Sequence, residues 1–258
     1  MTVKLFVLGR PGSGKSAAFR QIDKNIDQKH KGWSAIHFND YEILQEMFLF
    51  EKLFQSDAKP RKFQAREHGG FDVLDFSVLD KALKELEKKV RSRYSKKNNK
   101  DEIIVIEFAR DDYGKALEQF SSSFLKDSYF LFINSDINTC IQRVNNRVTH
   151  PATVDDHFVS EDIIRSYYKR QRIPFKLRRV DALNITKVQV ITSRMHIINN
   201  RGSHQDYTKK INRLINSIIK QEEQEKRGTI LRGAFTQLNH FRVPASALKI
   251  RAVSFLGI

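Results

Sequence analysis

An apolar run, Val3-Lys4-Leu5-Phe6-Val7-Leu8, passes directly into Gly9-Arg10-Pro11-Gly12-Ser13-Gly14-Lys15-Ser16 and then into Ala18, Phe19, Ile22 and Ile26 at helical spacing. A strand this continuously apolar is one covered on both faces, as in the middle of a parallel sheet. The spacing between strand and helix is G-x-x-x-x-G-K-S, whose glycines let successive backbone N–H groups face one anion. Lys15 can reach the β- and γ-phosphates, the Ser16 hydroxyl can ligate magnesium, and the helix behind them presents its positive end. Gly9, Arg10, Pro11, Gly12, Ser13, Gly14, Lys15, Ser16 and Ala17 are therefore expected to hold a nucleoside triphosphate together with Mg2+. The competing reading is a glycine-rich turn that binds nothing.

Further strands are expected at Ala35 to Phe38, Ile103 to Phe108, Tyr129 to Ile133, Val188 to Ile191 and His196 to Ile198. Helical patterns separate most of them: Ile43 to Phe54; Leu79 to Val90, starting near Asp75 or Ser77; one helix carrying Ala116, Leu117, Phe120 and Phe124; and a last one from Tyr207 to Ile219. Strands alternating with helices imply right-handed βαβ units, hence an α/β fold with a mainly parallel central sheet flanked by helices. In such sheets ligands bind beyond the carboxyl ends of the strands.

The residues that follow the strands are accordingly the candidates for chemistry. Asp40, after the second strand, can accept a proton from an attacking hydroxyl, hold magnesium through water, or cap the next helix. Glu107, ending the third, is placed to organise a magnesium hydration shell, with a buried structural carboxylate as the alternative. Arg110 can clamp an anionic acceptor with its planar fork, or pair with a nearby Asp, while Asp111 and Asp112 suit a helix cap. After the fourth strand, Ser135-Asp136 opens a helix on which Arg143 and Arg147 share a face. Ser160 is the expected N-cap of a further short helix. Two short helices bearing arginines around a connection suit a closing lid, against the plainer reading of a solvated basic hairpin. His150 and His157 have no Cys/His partner at metal-binding spacing.

With these residues in view, the chain resembles the phosphate-loop kinases that act on small molecules or polynucleotide ends: nucleoside and nucleotide kinases, polynucleotide 5′-kinases and zeta-toxin-like kinases. The likeness is carried by Gly9 to Ser16, Asp40, the R-x-x-x-R of Arg143 and Arg147, and Ile197 to Ser203, which looks like an adenine-side loop. It implies a three-layer P-loop NTPase fold with a helical lid at about 143–180, a kinase-like domain over 1–225, and a C-terminal extension over 226–258. It also implies ATP as donor, Asp40 positioning an acceptor hydroxyl, and lid arginines stabilising the transferring phosphate. No D-G-x-P-R stretch follows the third strand, and the long segment between strands two and three matches no acceptor pocket. The alternative class is a nucleic-acid-associated P-loop ATPase. A GTPase is disfavoured because no N-K-x-D guanine-reading motif follows a later strand.

Charge bears on the acceptor. The chain of 258 residues has 46 Lys plus Arg against 30 Asp plus Glu, a net +16, which favours anionic partners, nucleic acid included. Part of this lies in the run from Lys88 to Lys100, read as a solvated excursion between helix and strand that includes Lys96 and Lys97. The lone Cys140 excludes an internal disulfide, and no apolar stretch approaches bilayer length, so a cytoplasmic protein is expected, of undetermined oligomeric state.

Overall fold

The computed structural model describes residues 1–54, 60–66, 70–94, 100–148, 158–171 and 194–240. Two compact units divide the chain, Met1–Asn212 and Arg213–Ile258. The first unit is built on a five-stranded parallel sheet of β1 (Thr2–Leu8), β2 (Trp33–Asn39), β5 (Asp101–Phe108), β6 (Tyr129–Asn134) and β7 (Met195–Asn199), in the order β2-β5-β1-β6-β7. Leu5 stands opposite Val105 on one side and Tyr129 on the other. β1 is thus the central strand, which is why its residues from Leu5 to Leu8 are at most 1% exposed. The chain leaves β1 toward β2 on one side and reaches β6 on the other. The loop after β1 therefore sits at the topological switch point, where open α/β sheets bind ligands.

Helices α1 (Lys15–Lys29), α2 (Asp40–Phe54) and α3 (Ser77–Tyr94) flank the sheet, giving the expected three-layer α/β architecture. Leu79, Ala82, Leu83, Leu86 and Val90 form the buried stripe of α3 that their spacing predicted. In the same core Phe6 has the rings of Phe108, Phe120, Phe124 and Phe130 at 5.0–6.3 Å, three of them edge-on and Phe130 stacked.

Two expectations are corrected, and one element is added. The helix expected over Ala116 to Phe124 is two, α4 (Tyr113–Leu117) and α5 (Ser122–Leu125), because each has its own cap. The Asp112 carboxylate accepts from the Lys115 N–H and the Ser121 hydroxyl from the Phe124 N–H, while Glu87 fixes Ser121. The basic run is not an excursion up to Tyr94, since those residues complete α3. Lys88, Lys89, Arg91 and Arg93 there pair with Glu85, Glu46, Glu87 and Glu102. Lys96 and Lys97 lie outside the described residues. Finally, the long β2 to β5 connection contains an antiparallel hairpin, β3 (Phe63–Ala65) with β4 (Phe71–Val73), that three-residue strands gave no periodicity to reveal.

Two further helices follow β6, α6 (Ile137–Val148) and α7 (Glu161–Ser166), with the Ser160 hydroxyl capping α7 by accepting the Ile163 N–H at 3.4 Å. His150, His157 and the strand expected at Val188 to Ile191 lie outside the described residues. Helix α8 (His204–His240) runs on past Glu225, through the stretch where no firm helical pattern was legible. No helix among the described residues is long and apolar enough to cross a membrane.

Candidate active site

The loop between β1 and α1 is held in shape by glycines that nothing else can replace. Gly12 (φ +76) and Gly14 (φ +105) are left-handed, and a Cβ on Gly12 would lie 2.3 Å from the Cys140 carbonyl oxygen, so α6 packs directly on the loop. Gly14 is the N-cap of α1, no described side chain caps that helix, and its first turn has no acidic residue. Its leading N–H groups are thus left to an external anion.

Side chains from the far end of the unit grip the other side of the loop. Asn200 Nδ2 donates to the Ser13 carbonyl and the Tyr207 hydroxyl to the Gly14 carbonyl, both at 2.8 Å. In a trans peptide the C=O and the following N–H point in opposite directions. Tethering these two carbonyls therefore turns the Gly14 and Lys15 N–H groups away from Asn200 and Tyr207. Neither tether was legible as such, although Asn200 lies in the loop already singled out by resemblance.

Lys15 is buried, with Nζ donating to the Arg10 carbonyl at 2.9 Å and standing 3.9 Å from Glu107 Oε1. Burial lowers its pKa against the pull of Glu107 and Asp40, and the charge of Arg147 lowers it further. Glu107 gathers three groups: besides Lys15, the Ser16 hydroxyl donates to its Oε1 at 3.3 Å and His37 Nε2 lies 3.0 Å from Oε2. His37, which sequence reasoning passed over, stacks on Phe19 with ring centroids 4.3 Å apart. An alternating strand pattern at β2 is the signal that would have turned it toward α1.

Asp40 and Arg110 come together rather than serving separately. Arg110 Nη1 donates to Asp40 Oδ2 at 2.5 Å and to the Ala109 carbonyl at 2.6 Å, and Nη2 donates to the Leu79 carbonyl at 2.6 Å. Both residues are more than 90% buried. The fork expected to clamp an anionic acceptor is thus closed on the protein's own groups, leaving Nε buried with no hydrogen-bond partner among the described residues. Burial raises the Asp40 pKa, although Arg110 and Lys15 pull it down. For Arg110 burial works against the charge, but Asp40 together with Tyr168 and Tyr167 offsets it and the net direction is upward. The cap of α2 is Asn39, whose Oδ1 accepts the Glu42 N–H, so Asp40 is released from that duty.

The two arginines of α6 part company. Arg143 lies against the loop, its Nη1 3.5 Å from the Gly12 and Ser13 carbonyls and Nη2 3.4 Å from the Asn200 carbonyl. The charge of Arg147 is felt at both Lys15 and Tyr41, lowering the pKa of each. Arg10 turns its side chain away from the cradle and donates to the Tyr168, Ser135 and Lys169 carbonyls, anchoring the segment after α7 to the loop.

Beyond Lys15 and Ser16 a cavity opens between the start of α2, the end of β5, the β3–β4 hairpin and α7. Asp72 of the hairpin closes its far side, accepting from Arg66 Nε at 2.6 Å and from the Ser160 N–H at 3.2 Å. The segment with no recognisable pocket in sequence is therefore a wall of this cavity. Among the described residues no group of three or more His, Cys, Asp or Glu is arranged to hold a metal. A hydroxyl beside one carboxylate, as at Ser16 and Glu107, still fits magnesium, which takes few protein ligands and completes its shell with phosphate and water.

Neither a protein-family model nor a curated protein matches the sequence. Among solved structures the chain is similar to a gluconokinase from Sinorhizobium meliloti 1021, at 11% identity over 86% of this chain and 97% of that one, TM-score 0.46. It is also similar to Chaetomium thermophilum Kti12 in complex with ADP-AlF3, at 14% identity over 84% and 97%, TM-score 0.49. A third is the shikimate kinase from Acinetobacter baumannii in complex with shikimate, at 15% identity over 84% and 94%, TM-score 0.42.

Proposed function

We propose that the protein is a P-loop kinase that transfers the γ-phosphate of ATP to a hydroxyl of an acceptor seated in the cavity beyond Lys15. The observation that carries this reading is the position of Asp40. It lines the cavity adjoining the loop, with Oδ2 fixed by Arg110 and Oδ1 in no hydrogen bond among the described residues. A simple NTPase has no need for such a second chamber.

In this reading the Gly14 and Lys15 N–H groups and the start of α1 bind the phosphates, and Lys15 exchanges the Arg10 carbonyl for a phosphate oxygen. Ser16 and Glu107 are the residues that would hold Mg2+, which when bound neutralises charge on the phosphates. His37 orients Glu107. Asp40 accepts the proton as the acceptor oxygen bonds to the γ-phosphorus and the bond to the β-phosphate oxygen breaks, releasing ADP. A carboxylate whose pKa is raised by burial is the better base for this step. Arg147 stabilises the charge of the transferring group, and Arg143 supports the loop from behind.

The test is a transfer assay with γ-labelled ATP over nucleosides, nucleotides, small alcohols and 5′-hydroxyl oligonucleotides. Lys15→Ala is expected to abolish transfer while leaving the circular dichroism spectrum unchanged. Transfer retained in that variant, or phosphate release with no acceptor labelled, overturns the reading.

A further inference from the structure

The lining of the cavity bears on the acceptor's chemistry, and it runs against the charge of the chain. In a protein with a net +16, the charged residues lining this cavity among the described residues are Lys15 and Arg110 against Asp40, Glu42, Asp72 and Glu107, while Arg147, whose charge is felt at Lys15 and Tyr41, is the one assigned above to the transferring phosphate. Both lining cations are already engaged. Lys15 faces the loop, and the Arg110 fork is spent on Asp40 and two backbone carbonyls. Asp72 offers no cation either, since Arg66 is turned onto it. A second anion brought here would meet carboxylates, with no uncommitted guanidinium fork among the described lining residues to receive it, at the cost of desolvation.

The rest of the wall is flat and apolar. Tyr41, Phe71, Phe76 and Tyr168 line the cavity, backed by Leu44 and Leu79. Their planes are held by stacking: Tyr41 on Phe71 at 5.4 Å and 7°, and Phe76 on Tyr167 at 4.4 Å and 5°. Rings fixed in this way give a planar ligand a surface without rotamer entropy to lose. Asn39 and Gln45, also at the wall, add neutral donors and acceptors.

From this we infer that the acceptor is an uncharged alcohol carrying a flat aromatic or heteroaromatic ring, of the nucleoside kind, and not a nucleotide or a polynucleotide 5′ end. The inference rests on the kinase reading above and narrows the acceptor that reading leaves open. It assigns the basic charge of the chain to surfaces other than this cavity, as the paired cations of α3 already illustrate.

The experiment compares four acceptors with the full chain: a nucleoside, its 5′-monophosphate, a ringless polyol and a 5′-hydroxyl oligonucleotide. The nucleoside is expected to have the highest kcat/KM, at least tenfold above its monophosphate. Phe76→Ala, at a position 40% exposed and so tolerant of truncation, should raise the nucleoside KM about tenfold with the ATP KM unchanged, the loss of one stacking contact. Gln45→Arg, which supplies the missing cation, should move preference toward the monophosphate by a similar factor. Preference of the wild-type protein for the monophosphate, the polyol or the oligonucleotide overturns the inference while leaving the kinase reading intact. If no acceptor is labelled, the kinase reading fails, and calorimetric titration with the nucleoside then decides the cavity by itself. Binding weakened by Phe76→Ala supports its occupant, and no binding overturns it.

Discussion

Removing Arg110 is the sharpest test of how the Asp40 end of the cavity is held together. The guanidinium is 3% exposed and donates to Asp40 and to the carbonyls of Ala109 and Leu79. Arg110→Met keeps most of the packing volume but leaves the Asp40 charge buried without its partner. Breaking a buried pair from one side costs about 3–5 kcal/mol, and about 4 kcal/mol in a chain of this size lowers Tm by roughly 10 °C. The double variant Asp40→Asn with Arg110→Met removes the stranded charge, so its loss should fall short of the sum of the two single losses by about 2 kcal/mol or more. The pH dependence supplies an independent sign. Without Arg110 the folded-state pKa of Asp40 climbs further above its ordinary value of 3.8, so the folded chain binds the proton more tightly than the unfolded one. That contribution to stability is fully present below 3.8 and is lost as pH rises through the folded-state value. The Arg110→Met penalty should therefore be greatest near neutral pH and shrink on acidification, and the double variant should lack this dependence. Urea unfolding followed by circular dichroism across pH measures both. An additive cycle, or a penalty independent of pH, would refute the argument.

Two further outcomes concern the loop. Gly12→Ala forces a left-handed residue, costing about 1–2 kcal/mol, and puts its Cβ against the Cys140 carbonyl, so ATP binding measured by calorimetry should be lost even where the fold survives. Tyr207→Phe keeps the ring and removes the donor to the Gly14 carbonyl, worth about 0.5–1.5 kcal/mol, so ATP affinity should weaken by up to about tenfold with the acceptor KM unchanged.

The loop between β1 and α1 is legible in sequence because it is local. Thirteen consecutive residues, from Lys4 to Ser16, carry strand, turn and helix start, and each glycine has a steric reason to be there. The centre of the sheet was legible for a related reason: β1, β5 and β6, buried on both faces, read as apolar runs. What escaped depends on contacts across long stretches of chain. Asp40 and Arg110 are 70 positions apart, and nothing local tells a carboxylate that caps a helix from one that meets a guanidinium. The cap that Asp40 was expected to be able to supply is taken by Asn39. Spacing put Arg143 and Arg147 on one face of α6, as it must, but could not say that the nearer one would be taken up by loop carbonyls. The hairpin of β3 and β4 was invisible because three residues are too few to establish alternation.

The tethering of the loop carries a consequence for how binding and folding are linked. The peptides that carry the Gly14 and Lys15 N–H groups are oriented by Asn200 and Tyr207, 187 and 193 positions later in the chain than the carbonyls they hold. The loop is also pinned through the Arg10 side chain to Ser135, Tyr168 and Lys169. A motif contained in eight residues is therefore oriented only once β6, the segment after α7, and β7 with the start of α8 have docked. Contacts of such separation form late, because loop-closure entropy precedes any gain from them. Nucleotide affinity should accordingly report completion of the whole first unit rather than the presence of the loop. By linkage the nucleotide should in turn stabilise those distant elements, and not the loop alone.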